Sequence, residues 1–274
     1  MLITALATPF TDKKELDLKS FHRLLQHQKR GADGVVVAGT TGQGSLLSME
    51  EKRQLLEATL DYPFGRGLCV SDTCLPRVFE NMELATKFGA HFILVTPPFF
   101  IKPTQEAILA FFQEVLDQSS CPVILYNNPS RVAVAIDNGV YTALKGHKNL
   151  FGVKESANKA SLKGIEIPVF CGDDEQIMNY AEQGAMGAIS VLSNVFVDTV
   201  KKGLALDPEA NRMIHHLKQI YIATNPLPIQ YVLMKNHIFS FADLKKEMGS
   251  LNKEQEMMIC QILEETWEKS TSAF

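Results

Sequence analysis

Residues 92–127 read FILVTPPFFIKPTQEAILAFFQEVLDQSSCPVILYN. The stretch begins with a short apolar run, Phe92–Thr96, and ends with another, Pro122–Asn127. Between the two runs, apolar residues recur at the spacing of one helix face, at Ile108, Phe111, Phe112 and Val115. A buried strand, an amphipathic helix and a second buried strand are typical of one β-α-β unit in a parallel sheet that is covered on both faces.

The same alternation extends over most of the chain. Eight short apolar runs predict strands: Leu2–Thr8, Gly34–Thr40, Leu68–Ser71, Phe92–Thr96, Pro122–Asn127, Leu150–Glu155, Pro168–Gly172 and Ala188–Ser193. Helical patterns lie between most of them, including Asp17–Arg30, a segment opened by a capping box at Ser48 and Glu51, and Glu175–Gln183. Eight such units in succession predict an α/β fold, the (β/α)8 TIM barrel. The alternative is a doubly wound open sheet, but the expected glycine-rich phosphate turn does not follow the first strand.

The last quarter of the chain departs from this period. The eighth strand ends by Ser193, and we expect one further barrel helix before a small helical appendage. The predicted division is a catalytic barrel over residues 1–223 and a C-terminal helical region over residues 224–274. The sixth connection, Ala157–Ile167, is too short for a full barrel helix and predicts at most two turns.

Composition limits the partners that we expect. The 274 residues carry 27 Lys and Arg against 31 Asp and Glu, a net charge of −4, so no basic excess favours nucleic acid or an anionic membrane. No apolar run approaches the roughly 18 residues of a membrane span. Five cysteines without CxxC spacing argue against a disulfide framework or a zinc knuckle, and predict a cytoplasmic protein. Histidine spacings do not match a metal site, and we expect no metal.

Lys154 is the most informative candidate for chemistry, because reactive groups of this barrel lie where its strands end. It stands within a short apolar strand, in GVKES. Removing an ammonium group from water is costly, so burial favours the neutral amine, which attacks a carbonyl to form a Schiff base. The structural alternative is a lysine that reaches solvent from a strand end.

Other strand ends supply groups that suit the same reaction. Tyr126 is a proton donor and acceptor if it faces Lys154, and otherwise a buried tyrosine. Thr40 and Thr41 lie between glycines and either hold a carboxylate or cap a turn, whereas Arg131 either clasps a second carboxylate or is a solvated loop residue. The pair Asp173–Asp174 is expected to cap a loop or helix in preference to binding Mg²⁺.

Five motifs, in order along the chain, carry a family resemblance: GTTG at 39–42, YNNPSR at 126–131, GVKES at 152–156, CGDDEQ at 171–176 and GAISVLSN at 187–194. Together they resemble the dihydrodipicolinate synthase family, within the pyruvate-dependent class I aldolases that include N-acetylneuraminate lyase. The resemblance covers roughly residues 1–240. It implies condensation of pyruvate with L-aspartate-4-semialdehyde to 4-hydroxy-tetrahydrodipicolinate, in diaminopimelate and lysine biosynthesis. It also implies no metal or organic cofactor and a homodimer or homotetramer.

The resemblance assigns roles residue by residue. The implied catalytic residues are Lys154, which forms the imine with pyruvate, Tyr126, which transfers protons, and Thr41, which relays them. The implied substrate-binding residues are Thr40 for the pyruvate carboxylate, Arg131 for the carboxylate of the aldehyde, and Gly172 and Ile189, which line the pocket with their backbone.

Several positions depart from the family pattern. Phe100 stands where the family usually has a tyrosine that completes the proton relay in a neighbouring subunit, which predicts slower turnover. Gln43 replaces a glutamate, and Val132-Ala133 replaces a segment with glycine after Arg131. The places of the lysine effector hold Met49, Pro76, Glu80 and Phe99, so we expect little or no inhibition by lysine.

Two alternatives stay open at this point. One is a pyruvate-dependent aldolase for another aldehyde or 2-keto acid, of the sialic-acid or keto-deoxy sugar acid type. Arg131 and the threonine pair favour the synthase over it, because sialic-acid lyases generally lack this arginine. The other alternative is a non-catalytic paralogue that binds pyruvate or has a regulatory role.

Overall fold

Eight parallel strands follow one another around a closed barrel in the computed structural model, which describes residues 1–271. The strands are β1 Leu2–Ala5, β2 Gly34–Val37, β3 Gly65–Cys69, β4 Phe92–Val95, β5 Val123–Asn127, β6 Leu150–Glu155, β7 Val169–Cys171 and β8 Gly187–Ser190. Strand β1 pairs with both β2 and β8, which closes the barrel. The predicted (β/α)8 barrel is therefore confirmed, and the open-sheet alternative is wrong.

Several strands end earlier than predicted. The run Leu2–Thr8 pairs only as far as Ala5, and the run Gly34–Thr40 only as far as Val37. Residues 6–8 do not pair in the sheet, but they remain buried because the C-terminal region packs over them. An apolar run therefore indicates which residues are buried, but not which of them pair with a neighbouring strand. Conversely, β3 begins at Gly65, ahead of the predicted start at Leu68. The prediction missed its first residues because Gly65, Arg66 and Gly67 do not form an apolar run.

Eleven α-helices are found among the described residues: α1 Leu18–Gln28, α2 Met49–Ala58, α3 Leu75–Lys87, α4 Gln105–Gln118, α5 Pro129–Val132, α6 Asn138–Leu144, α7 Ile177–Glu182, α8 Val197–Leu204, α9 Pro208–Leu217, α10 Leu227–Lys235 and α11 Lys253–Thr271. The capping box of Ser48 and Glu51 opens α2, as predicted. After β8, two helices, α8 and α9, stand where one was expected. None of these helices combines the length and apolar character that crossing a bilayer requires.

The sixth connection lacks even the short helix of up to two turns that its length allows. Residues 157–167, all of which are described, form turns and extended chain without a helix. The segment is instead tied to its neighbours by side chains: Gln183 accepts a hydrogen bond from the Leu162 amide at 2.8 Å and donates to the Ala160 carbonyl at 3.3 Å. The β6–β7 wall of the barrel is therefore covered by a loop where the other units place helices.

Side chains alternate between the inside and the outside of the barrel wall, as the twofold period of a strand requires. Tyr126 belongs to the small apolar cluster inside the barrel, whereas its neighbour Leu125 belongs to the core between strands and helices. Val153 likewise packs outside, which turns Lys154 inward. The chemically reactive residues of β5 and β6 consequently meet inside the barrel, at its carboxyl end.

The C-terminal region packs across the barrel and does not stand apart from it. Helix α10 is buried from Leu227 to Leu233, and Gln230 donates hydrogen bonds to the carbonyls of Thr8 and Asp243, both at 3.0 Å. The Lys245 amide donates to the side chain of Gln43 at 2.9 Å. The last three residues of the predicted range 224–274 lie outside the described residues.

Candidate active site

A cavity of about 110 Å³ lies at the carboxyl end of the strands, and Lys154 projects into it. Its walls include Thr40, Thr41, Tyr126, Arg131, Gly172 and Asn225. A wider chamber of about 240 Å³ adjoins it, shares Thr40, Tyr126, Arg131 and Asn225, and extends outward to Phe99 and Met248. We call these the inner and the outer chamber. Two connected spaces of this kind suit a covalently held small molecule and a second reactant that approaches it.

Strand register places the amine of Lys154 against the ring of Tyr126. The two residues are paired across β5 and β6, and both point into the barrel. Lys154 is only 4% exposed, and its Nζ lies 4.3 Å from the centre of the Tyr126 ring. The structure therefore brings together the predicted nucleophile and the predicted proton carrier, and the solvent-reaching alternative for Lys154 is wrong.

The phenol of Tyr126 is tuned by its neighbours. Burial by itself raises its pKa, but the charge of Lys154 and hydrogen bonds from Asn128 and Thr40 outweigh burial and lower the pKa below the ordinary tyrosine value. The Asn128 amide donates to the phenol oxygen at 2.9 Å. Such a phenol loses its proton more readily than a tyrosine in water, which suits a group that both gives and accepts protons.

The two threonines of GTTG have different partners. Thr40 lies beside the Tyr126 phenol and helps to lower its pKa, whereas the Thr41 hydroxyl accepts a hydrogen bond from Asn225 Nδ2 at 3.0 Å. This reverses the arrangement implied by the resemblance, in which Thr41 stands next to the phenol. The loop that follows these threonines is tight, because a Cβ at Gly44 would be 1.7 Å from the Ala38 carbonyl oxygen.

Arg131 reaches the site from the short helix α5. Its guanidinium donates to the Thr224 hydroxyl at 3.4 Å and to the Asn225 carbonyl at 3.2 Å, and it lines both chambers. Helix α5 ends at Ala133 with a φ of 63°, a left-handed conformation that glycine adopts more easily. The chain therefore keeps the turn after Arg131 even without the glycine that the family resemblance leads one to expect.

Gly172 and Ile189 occupy different layers. Gly172, directly after β7, lies in the wall of the inner chamber against Lys154. Ile189 on β8 is fully buried in the apolar cluster inside the barrel, and the wall of the inner chamber near β8 is formed by Val191.

Residues that the sequence analysis did not assign to the site also line it. Asn225 lines both chambers and contacts Thr41 and Arg131, and Asn128 contacts the phenol of Tyr126. Asn128 stands in YNNPSR, one of the five motifs that carry the resemblance, which was the available signal, whereas Asn225 lies outside all five.

Phe100, the position of the missing tyrosine, points away from the chambers of this chain. It is 88% exposed and has a φ of 74°, and the next residue, Ile101, is also exposed. Its neighbour Phe99 turns inward and lines the outer chamber.

The acidic pair after β7 has structural partners. Asp173 caps the 3-10 turn Asp174–Gln176, as expected of a capping residue. Asp174 Oδ2 accepts hydrogen bonds from the amides of Val191 and Leu192 at 3.1 and 2.8 Å, and burial raises the pKa of both carboxyl groups. Within residues 1–271, no group of three or more His, Cys, Asp or Glu side chains is arranged to hold a metal ion.

Comparisons with known proteins agree with this geometry. The sequence model of the dihydrodipicolinate synthetase family matches residues 1–266. A 4-hydroxy-tetrahydrodipicolinate synthase from Exiguobacterium sibiricum is 35% identical and covers 84% of this chain and 85% of its own length. One from Sulfurihydrogenibium is 31% identical and covers 95% and 96%. The crystal structure of dihydrodipicolinate synthase from Aquifex aeolicus matches with a TM-score of 0.89 at 26% identity, over 96% of each chain.

Gly172 leaves space for the Lys154 side chain because it has no Cβ. A Cβ at this position would lie 2.9 Å from Cγ and Cε of Lys154 and 2.0 Å from the Ser156 hydroxyl oxygen. We expect Gly172→Ala to displace the lysine and to slow its imine formation with pyruvate by on the order of 10- to 100-fold, measured by borohydride trapping and mass spectrometry.

Gly139→Ala in α6 is the matched control, because a Cβ there meets no atom within 4 Å. We expect this variant to trap pyruvate at the wild-type rate. Equal trapping by wild type and Gly172→Ala would show that the lysine does not depend on the space left by the glycine.

Proposed function

Because the chain belongs to the dihydrodipicolinate synthetase family, we propose that it condenses pyruvate with L-aspartate-4-semialdehyde through an imine on Lys154. The observation that carries the proposal is the buried amine of Lys154, which lies in the inner chamber, 4.3 Å from the ring centre of Tyr126. The product is 4-hydroxy-tetrahydrodipicolinate, and no metal or organic cofactor takes part. The site of action is the cytoplasm, in keeping with five free cysteine thiols.

The first step joins pyruvate to the enzyme. The neutral amine of Lys154 adds to the C2 carbonyl carbon, and the resulting carbinolamine loses its hydroxyl group as water to leave an iminium ion. The proton that the departing hydroxyl needs comes from the phenol of Tyr126, the acid nearest to the amine. Thr40, which lies beside that phenol and helps to lower its pKa, stabilises the phenolate and passes protons onward.

The second step forms the new carbon–carbon bond. The iminium draws electrons from the pyruvate methyl group, whose proton moves to the Tyr126 phenolate, and the enamine attacks the aldehyde carbon. The alkoxide that forms takes the proton back from Tyr126. The amino group of the second substrate then attacks the imine carbon and displaces Lys154, which closes the ring and frees the enzyme.

Substrate carboxylates are held at two places. Thr41, with its hydroxyl fixed by Asn225, holds the pyruvate carboxylate in the inner chamber, together with the GTTG backbone. Arg131, at the boundary with the outer chamber, holds the carboxylate of the aldehyde. The geometry thus supports Thr40 in proton transfer and Thr41 in binding, the reverse of the roles implied by the sequence resemblance alone. Gly172 leaves room for the lysine, and Ile189 supports the floor of the site.

The imine itself is the first test. Incubation of wild type with pyruvate and borohydride should attach a reduced three-carbon acid to the peptide that contains Lys154, whereas Lys154→Ala should give no adduct and no turnover. Lys163→Ala, which removes an exposed lysine in the following loop, is the control and should retain the adduct. A wild-type protein that gains no adduct would exclude this chemistry and favour the non-catalytic alternative.

Arg131 provides a test of the acceptor. Loss of a charge-assisted hydrogen bond costs about 1.5–3 kcal/mol, so Arg131→Ala should raise KM for aspartate semialdehyde by on the order of 10- to 100-fold. The KM for pyruvate should change far less. Arg53→Ala, which removes a partly exposed, ion-paired arginine from α2, should leave both constants unchanged.

Equal effects of Arg131→Ala on both substrates would contradict the assigned role. Steady-state assays with a panel of aldehydes and pyruvate complete the test. Faster reaction with a sugar aldehyde than with the semialdehyde would favour the sialic-acid or keto-deoxy sugar acid alternative.

We also propose that lysine does not inhibit this enzyme. Met49, Glu80 and Phe99 line a third cavity of about 370 Å³, which contains Lys52 and Arg77 as well. Lys52 is buried and donates to the Asn81 side-chain oxygen at 3.0 Å, so the protein's own amine already uses an acceptor that a bound ammonium group would need. Millimolar L-lysine should leave the initial rate unchanged. Saturable inhibition by L-lysine would contradict the proposal.

Self-association is part of the same proposal. The tip of the loop after β4 exposes Phe100 and Ile101 side by side, an apolar pair that contact with a second copy would cover. A homodimer or homotetramer is the arrangement that the family resemblance implies. The small-molecule substrates are the only other partners that we propose.

A further inference from the structure

A fully buried carboxylate lies directly beside the proposed nucleophile and has no place in the mechanism above. Glu155 follows Lys154 on β6 and points to the opposite side of the barrel wall, with an exposed fraction of 0%. We propose that Glu155 is a positioning residue that, paired with Asn127, holds Lys154 in line with Tyr126. The inference rests on the proposed function, because it concerns the same imine.

The contacts of Glu155 are those of a group built into one fixed position. The Asn127 side-chain amide donates to both carboxylate oxygens at 2.9 Å. The backbone amide of Ala157 donates to Oε1 at 2.8 Å, and the ammonium of Lys159 lies 3.1 Å from Oε2. An unpaired carboxylate in this position would be very unfavourable, and these four contacts compensate it.

Glu155 and Asn127 are cross-strand neighbours, one residue further along β6 and β5 than Lys154 and Tyr126. Across β5 and β6, Tyr126 faces Lys154 inside the barrel, and Asn127 faces Glu155 outside it. Two consecutive residues on each strand therefore form two layers, an inner layer that reacts and an outer layer that is hydrogen-bonded. The two hydrogen bonds between Asn127 and Glu155 resist sliding or spreading of the two strand ends, and either movement would also displace the inner pair.

The outer pair also fixes the loops on either side. Asn127 Oδ1 accepts a hydrogen bond from the Ile136 amide at 3.0 Å, which anchors the connection after β5. Lys159 belongs to the sixth connection, which has no helix in residues 157–167, and its ion pair ties this connection to the strand end. Glu155 thus supplies lateral support at the end of the strand whose following connection contains no helix.

The experiment compares Glu155→Gln with Glu166→Gln. Glu166 lies in the same connection, but it is exposed and pairs with exposed Lys145 at 2.9 Å, so it controls for loss of a charge and an ion pair. For each purified protein the rate of imine formation is measured by timed borohydride trapping with pyruvate, with KM for pyruvate and the melting temperature measured alongside. We expect Glu155→Gln to slow imine formation by on the order of 10- to 100-fold with little change in KM, and Glu166→Gln to match wild type.

An exchange of the two groups separates positioning from bulk stability. Asn127→Asp places two carboxylates opposite each other and should slow imine formation at least as much as Glu155→Gln. The double variant Asn127→Asp with Glu155→Gln restores one amide facing one carboxylate, and should recover most of the rate lost by Asn127→Asp. A merely structural role predicts a lower melting temperature with an unchanged rate in the folded protein.

The outcomes decide between the two proposals. If wild type traps pyruvate and folded Glu155→Gln traps it equally fast, positioning is overturned while the proposed function stands. If wild type itself gives no adduct, the proposed function fails, and this inference with it. Should Glu155→Gln not fold, Lys159→Met against Lys145→Met gives the same comparison: a slower imine in the first alone supports positioning, and equal rates overturn it.

Discussion

The contact between the amine of Lys154 and the ring of Tyr126 is the constraint on which the rest of the site depends. A lysine amine inside a barrel is stable there only if the surrounding groups replace the water that it has lost. The ring face of Tyr126 and the polar walls of the inner chamber do this. The contact exists because β5 and β6 pair Tyr126 with Lys154, beyond a shift of register between Val123 and Ile124, within the closed barrel.

Much of the fold could be predicted because burial on both faces of a strand leaves a continuous apolar run. What the runs did not reveal is where pairing stops. Residues 6–8 are as buried as the strand that precedes them, since the C-terminal region covers them through Gln230. The absence of a sixth helix could be predicted only in part. The length of residues 157–167 limits any helix there to two turns. The contacts of Gln183 and Lys159 that hold this loop are tertiary and could not be read from the local sequence.

The site divides in the same way. Local motifs placed Lys154, Tyr126 and Arg131 at neighbouring strand ends, and the structure brings all three to one cavity. Partner choice could not be predicted, because it depends on distant segments. Asn225, almost a hundred residues beyond Arg131, reaches Thr41 and leaves Thr40 to the phenol. Their position in the sequence does not distinguish the two adjacent threonines, because their partners belong to other segments of the chain.

The opposing influences on Tyr126 give the proposed reaction an internal order. Burial raises the pKa of the phenol, and the positive charge of Lys154 is the first of the influences that lower it. The iminium keeps that charge, so the phenolate is available to take the methyl proton. Within the proposed mechanism, the enamine lacks this charge and so lacks one of the influences that lower the pKa of Tyr126, which favours retention of the proton by the phenol. Attack on the aldehyde restores the iminium, and with it an influence that favours release of the proton to the alkoxide. We therefore propose that the charge of the iminium assists both proton transfers through its contact with Tyr126.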